Sequence, residues 1–135
     1  MDIFRAMEVS ASGLAVERTR MNVASANLAN AETTRGVDGG PYKRKDVVVQ
    51  ARPAAEGSAV FEAHVAEVTE DQRAPRLEHD PGHPDADAQG MVALPNVNVV
   101  EEIVDMITAT RAYEAGVTAM KSATAMADSA LGIGR

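Results

Sequence analysis

Met7, Leu14, Met21 and Leu28 stand at a strict spacing of seven, and Val9, Val16 and Val23 repeat that spacing two residues further on. Ile3 and Ala24 fill intermediate positions of the first series. A period of seven marks a helix that packs lengthwise against another helix. Two residues correspond to about 200° around a helix, so the two series lie on nearly opposite sides. A surface helix of a monomer needs one apolar stripe. The second stripe asks for a second partner, and no other feature restricts the possible folds so strongly.

This helical segment runs from Met1 to about Ala31, with no Pro and one Gly. Thr33 and Thr34, followed by Gly36, Gly39, Gly40 and Pro41, place its end. Asn27 and Asn30 fall in the last turns. They either help to terminate the helix or form hydrogen bonds across a subunit interface and fix its register. Spacing alone favours termination, and both also enter the candidate assembly interface.

The segment from Val97 to about Leu131 is the second long helix. Asn98 is placed to cap it, with Glu101 three residues on, and Glu101, Glu102 and Asp105 suit the positive end of the helix dipole. Its apolar seam is Ile103, Met106, Thr110, Tyr113, Val117, Met120, Thr124, Ala127 and Leu131, alternating by four and three. Two threonines and an alanine make a weak dimer seam but an acceptable interface in a crowded assembly. Gly132 and Gly134 end the helix.

Between the helices the chain reads as short strands and turns. Asp46 to Gln50 contains three consecutive valines, and Ala59 to Thr69 alternates. Arg76 to His79 and Met91 to Leu94 are weaker strands around a Pro- and Gly-rich stretch. The expected class is therefore α+β, in three parts. Residues 1–35 form one axial helix and residues 96–135 the other. Residues 36–95 form a small irregular β-rich middle region. Helices of about 45–52 Å, at 1.5 Å per residue, suggest an antiparallel coiled-coil-like pair with the strands as a knob at one end.

The apolar fraction of 45% is ordinary, but aromatics are 3% and Trp is absent. Ala and Met dominate the helices, letting them approach closely while giving a monomer few large anchors. A net charge of −7 disfavours nucleic-acid binding. The one basic cluster, Lys43-Arg44-Lys45, reads as the solvated start of a strand. With no Cys, disulfide and thiolate chemistry are excluded. Asp2, Arg5 and Glu8 interrupt any signal-like apolar run, and no run has transmembrane length.

Little points to a reaction. His79 and His83 lie near Asp80, Asp85 and Asp87, but Pro81, Gly82 and Pro84 prevent a helix from bringing both histidines to one face. Asp85 to Gly90 imitates the first half of an EF-hand loop, yet Asn96 occupies the twelfth position and prolines flank the loop. Turn chemistry explains these residues without an ion. No nucleophile, phosphate-loop or dinucleotide motif is present. The expectation is no enzyme, no cofactor, no metal and no small-molecule substrate.

Four blocks then carry a resemblance. Ser25-Ala-Asn27-Leu-Ala-Asn30-Ala-Glu32-Thr33-Thr34 resembles the signature that closes the first helix of flagellar rod and hook axial proteins. Gly39-Gly40-Pro41-Tyr42-Lys43-Arg44-Lys45 resembles the stretch that follows it in the proximal-rod branch of that family, as does Asp80-Pro-Gly-His83-Pro-Asp85-Ala-Asp87 with Gly90. Leu94-Pro-Asn96-Val-Asn98-Val-Val-Glu101-Glu102, leading to Arg111-Ala-Tyr113-Glu114-Ala, is similar to the final helix. His79 and Met91 depart from the family pattern, where an aromatic is usual, and the departures bear on loop packing.

The resemblance implies a structural subunit exported unfolded by the flagellar type III apparatus, without a cleaved signal. It would polymerise in the periplasm into the drive shaft between membrane ring and distal rod and hook. Its expected partners are its own copies, other rod subunits, membrane-ring/rod adaptor proteins and the export apparatus. The candidate assembly interface comprises Met7, Leu14, Met21, Leu28, Val9, Val16, Val23, Asn27, Asn30 and the second-helix positions Ile103, Met106, Thr110, Tyr113, Val117, Met120 and Leu131. Two rival readings are a cytoplasmic helical adaptor or export chaperone, distinguished by location, and a calcium- or metal-binding module, distinguished by titration.

Overall fold

The computed structural model describes residues 3–134. Helix α1 spans Ile3–Ala29, strands β1 to β4 span Lys45–Pro53, Phe61–Glu70, Arg76–His79 and Met91–Leu94, and helix α2 spans Val99–Ile133. The strands form two antiparallel hairpins, β1–β2 and β3–β4. The α+β architecture with a helical pair is the expected one.

Local chemistry explains each helix end. Asn98 has an extended backbone, and its Oδ1 accepts from the backbone N–H of Val100 (3.0 Å) and Glu101 (3.4 Å), capping α2. At the end of α1, Asn30 donates from Nδ2 to the Ala26 carbonyl (2.9 Å), and the Thr33 hydroxyl donates to Asn30 Oδ1 (3.1 Å). Asn30 thus serves the helix end. With 27 and 35 residues the helices are about 40 and 52 Å long, so α1 falls short of the expected range.

The helices run antiparallel. Asn27 meets Glu102, Met21 meets Thr110, Leu14 meets Gly116 and Met7 meets Thr124. The seam on α2 is turned by one residue from the expected stripe. Its most enclosed column is Glu102, Ala109, Gly116 and Ala123, while Ile103, Thr110, Thr124 and Leu131 beside it are exposed. Small side chains win this position because they let the helix axes approach and admit the larger Leu14 and Met side chains from α1. A Cβ on Gly116 would stand 2.9 Å from Leu14 Cδ2 and 3.4 Å from its Cγ. Gly116→Val is therefore expected to cost about 1–3 kcal/mol through overpacking, in urea unfolding of the whole chain. Leu14→Ala in the same chain should recover part of the loss; equal stability of wild type and Gly116→Val would contradict this packing.

The first hairpin departs from the expected knob. Tyr42 N–H donates to the Thr33 carbonyl (3.0 Å), folding back a turn in which Gly39 has φ +81°. Strand β1 therefore starts beside Asn27. Further along, the Ala63 N–H of β2 donates to the Ser12 hydroxyl (3.1 Å). The hairpin thus lies along α1 rather than beyond it, and Val16 on the second stripe is buried. The second partner demanded by Val9, Val16 and Val23 belongs to the same chain.

In this hairpin the register shifts between Val48 and Val49, and Ala66 has no cross-strand partner. Such a bulge bends the ribbon and increases its twist. The loop of the second hairpin is tied to the turn that follows α1. The Thr34 hydroxyl donates to Asp85 (2.7 Å) and the Arg35 guanidinium pairs with the same carboxylate.

Candidate assembly interface

Burial divides α1 into three faces. One meets α2, one meets the first hairpin, and a third carrying Glu8, Ala11, Ala15, Arg18, Asn22, Ser25 and Ala29 is exposed. Helix α2 meets α1 along one narrow seam and is otherwise open. Near its N-terminus Val100, Val104 and Ile107 are exposed by 69%, 54% and 48%, with Ile103 next to them. Four adjacent large aliphatic side chains on a single helix face form an apolar patch of the kind that marks a contact surface.

The candidate interface residues therefore fall into distinct groups. Ile103, Thr110 and Leu131 are exposed. Met7, Leu14, Met21, Leu28, Met106, Tyr113, Val117 and Met120 are half-buried around the α1–α2 seam, and Val9 and Val23 are half-buried near the hairpin. Asn30 is half-buried at the helix end. Val16 and Asn27 are buried inside the chain, so neither presents a surface to a neighbour.

Asn27 is the centre of a polar lock that joins three segments distant in sequence. Its Nδ2 donates to the Lys45 carbonyl (2.8 Å) and to Glu102 Oε2 (2.9 Å). Its Oδ1 accepts from the Tyr42 hydroxyl and the Lys45 N–H, both at 2.9 Å. An amide side chain has two donors and two acceptor positions, and all four are used. Glu102, only 1% exposed, accepts from Arg44 Nε through its other oxygen. Arg44 also reaches Asp46 and Asp105 at 3.7 Å. Among the described residues every buried side-chain nitrogen or oxygen has a partner.

The electrostatics follow from this arrangement. Burial raises the Tyr42 phenol above its ordinary pKa, and the carboxylates of Glu102 and Glu70 add to the rise, so Tyr42 stays a neutral donor. For Arg44, burial is the largest influence and opposes the charge. The hydrogen bond to Glu102 and the surrounding carboxylates outweigh it, and the guanidinium is held above its usual range. A buried carboxylate is tolerable here because an arginine and an amide satisfy it.

Sequence reasoning placed Glu102 at the helix dipole and missed its partners. One signal was available. Glu102, Ala109, Gly116 and Ala123 repeat at seven, and a mid-helix glycine needs a packing reason because it costs about 1 kcal/mol relative to Ala. Likewise Arg44 departs from the solvated strand start expected of Lys43-Arg44-Lys45: the two lysines are exposed, and Arg44 turns inward between them.

The acidic turn has structural partners of its own. Asp87 Oδ1 accepts from the N–H groups of Gln89 (2.8 Å) and Met91 (2.9 Å), and His83 Nδ1 accepts from the Asp85 N–H (3.0 Å). The Thr34 hydrogen bond and then the Arg35 charge hold the Asp85 carboxyl below its ordinary pKa. Among the described residues no group of three or more His, Asp or Glu side chains is placed to hold a metal ion. No described helix is long and apolar enough to cross a membrane.

The two helices that build this surface are also the parts that define a class of proteins. A family model described as "Flagella basal body rod protein" matches residues 7–35, and one described as "Flagellar basal body rod FlgEFG protein C-terminal" matches residues 88–133. The chain is 40% identical to flagellar basal-body rod protein FlgC of Borreliella burgdorferi over 98% of both chains. It is 40% identical to FlgC of Escherichia coli O6:H1 and 41% identical to FlgC of Bacillus subtilis, each over the full length of both chains. The chain belongs to the FlgC family of flagellar basal-body rod proteins.

Proposed function

We propose that this chain is a structural subunit of the bacterial flagellar basal-body rod, polymerising through its terminal helices into the shaft that carries torque from the membrane ring to the distal rod and hook. Membership of the FlgC family supports the role. The observation that carries the mode of assembly is the exposed aliphatic patch of Val100, Ile103, Val104 and Ile107 on α2. Covering it by neighbouring subunits would remove apolar surface from water at roughly 25 cal/mol per Å². Thr110 and Leu131 extend the same exposed flank, and the half-buried Met7, Leu14, Met21, Leu28, Met106, Tyr113, Val117 and Met120 border it.

The partners on this reading are further copies, other rod subunits and membrane-ring/rod adaptors, in the periplasmic part of the basal body. Narrow helix-to-helix contact also suits passage through the flagellar type III export apparatus as an unfolded chain, since much of the burial is deferred to assembly. No catalytic step, cofactor, metal or small-molecule substrate enters the reading.

Ile107→Asp separates folding from assembly. The substituted side chain is half exposed, so the purified protein should unfold within about 0.5 kcal/mol of wild type. The same variant is expected to be lost from isolated hook–basal bodies and to leave a deletion strain non-motile. Normal incorporation of Ile107→Asp would remove this patch from the interface.

A further inference from the structure

We infer that the open edge of β1 pairs antiparallel with the same edge of a second copy of this chain, about a two-fold axis at Gln50. This contact goes beyond the rod-subunit reading and does not depend on it.

Residues along an antiparallel strand alternately turn their backbone groups toward the partner strand and away from it. At one end of the first hairpin the Asp71 N–H donates to the Arg44 carbonyl (2.8 Å). At the other the Ala54 N–H donates to the Val60 carbonyl (2.9 Å). The extra residue of the bulge, Ala66, lies in β2 and leaves the alternation of β1 intact. Even-numbered residues of β1 therefore bond β2, and Lys45, Val47, Val49, Ala51 and Pro53 face outward.

Most of this edge is guarded. Asn27 occupies both backbone groups of Lys45, Asp46 Oδ1 accepts from the Val47 N–H (2.9 Å), and Pro53 has no N–H. Among the described residues nothing bonds the outward groups of Val49 and Ala51, and both residues are exposed. A bare edge of this kind is a template for an added strand.

A second copy of β1 fits that window. With Gln50 opposite Gln50, Val49 of each copy exchanges two hydrogen bonds with Ala51 of the other, about four in all. The next pair outward is Val47 with Pro53. One N–H there is already satisfied and the other does not exist, so the pairing ends without an unmatched donor. Val49 and Ala51 lie on one apolar face with Val47, Phe61, Ala63 and Val65, a face left partly bare, with Val49 43% and Phe61 54% exposed. On the opposite face Arg52 stands diagonal to Asp46 of the second copy, within reach of a long side chain. The two side chains are 62% and 69% exposed, and no like charges are directly opposed. A two-fold contact satisfies both copies at once. It also turns the second copy end for end, so the pairing belongs to the free subunit and is broken where copies line up in one direction in a shaft.

The chain contains no Cys, so single thiols report without background. Gln50→Cys and Arg52→Cys are made separately in the full-length chain, and disulfide formation under mild oxidation is followed on non-reducing gels. The two positions 50 face each other with Cα atoms about 4.5 Å apart, within disulfide reach, whereas the two positions 52 lie ~13 Å apart. Gln50→Cys should therefore form dimers about tenfold faster than Arg52→Cys. Adding Ala51→Pro removes an outward donor and no bond to β2, and should bring Gln50→Cys down to the slow rate. Equal rates for the two cysteine chains, or a fast rate that survives Ala51→Pro, would overturn the self-pairing and leave the edge to a different partner. The comparison of the two cysteine chains decides the matter even where Ala51→Pro fails to fold. Incorporation into basal bodies is not read in this experiment, so its failure leaves the rod-subunit reading standing.

Discussion

Asn27→Leu is expected to lower the unfolding free energy of the whole chain by about 3 kcal/mol, read as a shift in urea midpoint at unchanged slope. The side chain is 1% exposed and satisfies Tyr42, both backbone groups of Lys45 and one oxygen of Glu102. Leucine fills a similar volume but satisfies none of them. Each buried polar group left without a partner costs about 1–3 kcal/mol, and access of water near the exposed Lys45 reduces the sum. Against a total stability of roughly 5–15 kcal/mol for a domain, this is a large fraction. Asn30→Leu is the control. Its bonds are local to the helix end, and the expected loss is near 1 kcal/mol, the usual scale for a cap. Equal losses for the two asparagines would mean that Asn27 is only another helix-terminating residue.

Arg44→Met should be at least as damaging, because it leaves the carboxylate of Glu102 buried without its cation. Breaking a buried ion pair from one side costs about 3–5 kcal/mol. Removing both partners tells more than removing one. In Arg44→Met with Glu102→Leu the buried charge is gone, and the Asn27 amide keeps the Lys45 carbonyl as acceptor. The double variant should therefore lose less than the sum of the Arg44→Met and Glu102→Leu losses, by about 2 kcal/mol, a coupling in the range found for contacting residues. Additive losses would show that Arg44 and Glu102 act independently and that the lock is not a unit. Arg44 also ties the start of β1 to the start of α2. Hydrogen exchange at residues 99–105 should consequently rise in Arg44→Met more than at residues 116–123.

Together these residues give the helix pair an uneven construction. At one end a satisfied polar cluster fixes the register of α1, α2 and β1. Further along, the seam is built largely of Ala, Gly and Met, and at its edge the Thr110 and Thr124 hydroxyls donate to their own helix carbonyls beside Met sulfurs. Such a seam defines a distance between helices more than a strong attraction. A subunit of this kind keeps its shape through the lock and leaves most of α2 available to neighbours.

Much of this organisation is legible in residue order. The seven-residue period of Met7, Leu14, Met21 and Leu28 places the first helix and its α2-facing stripe. The Asn98 cap places the start of the second. Arg76–His79 and Met91–Leu94 form strands at the positions where alternation and turn residues put them. These features depend on contacts within a few residues, which is why local pattern suffices to find them.

The lock and the choice of seam depended on what lies across the fold. Val16 and its neighbours announced that a second partner was needed, and only the return of the chain at Tyr42 made that partner the first hairpin. Ile103 and Leu131 look like core residues in the sequence, yet Ala109, Gly116 and Ala123 take the seam because close approach of two helices rewards small volume over hydrophobicity. The repeat of Glu102 with Ala109, Gly116 and Ala123 hints at its place in the seam, but not at its partners Asn27 and Arg44, which stand 75 and 58 residues away. Periodicity determined which elements exist and which faces are apolar; tertiary packing decided which faces the chain covers itself, because that depends on shape and hydrogen-bond partners brought together only in three dimensions.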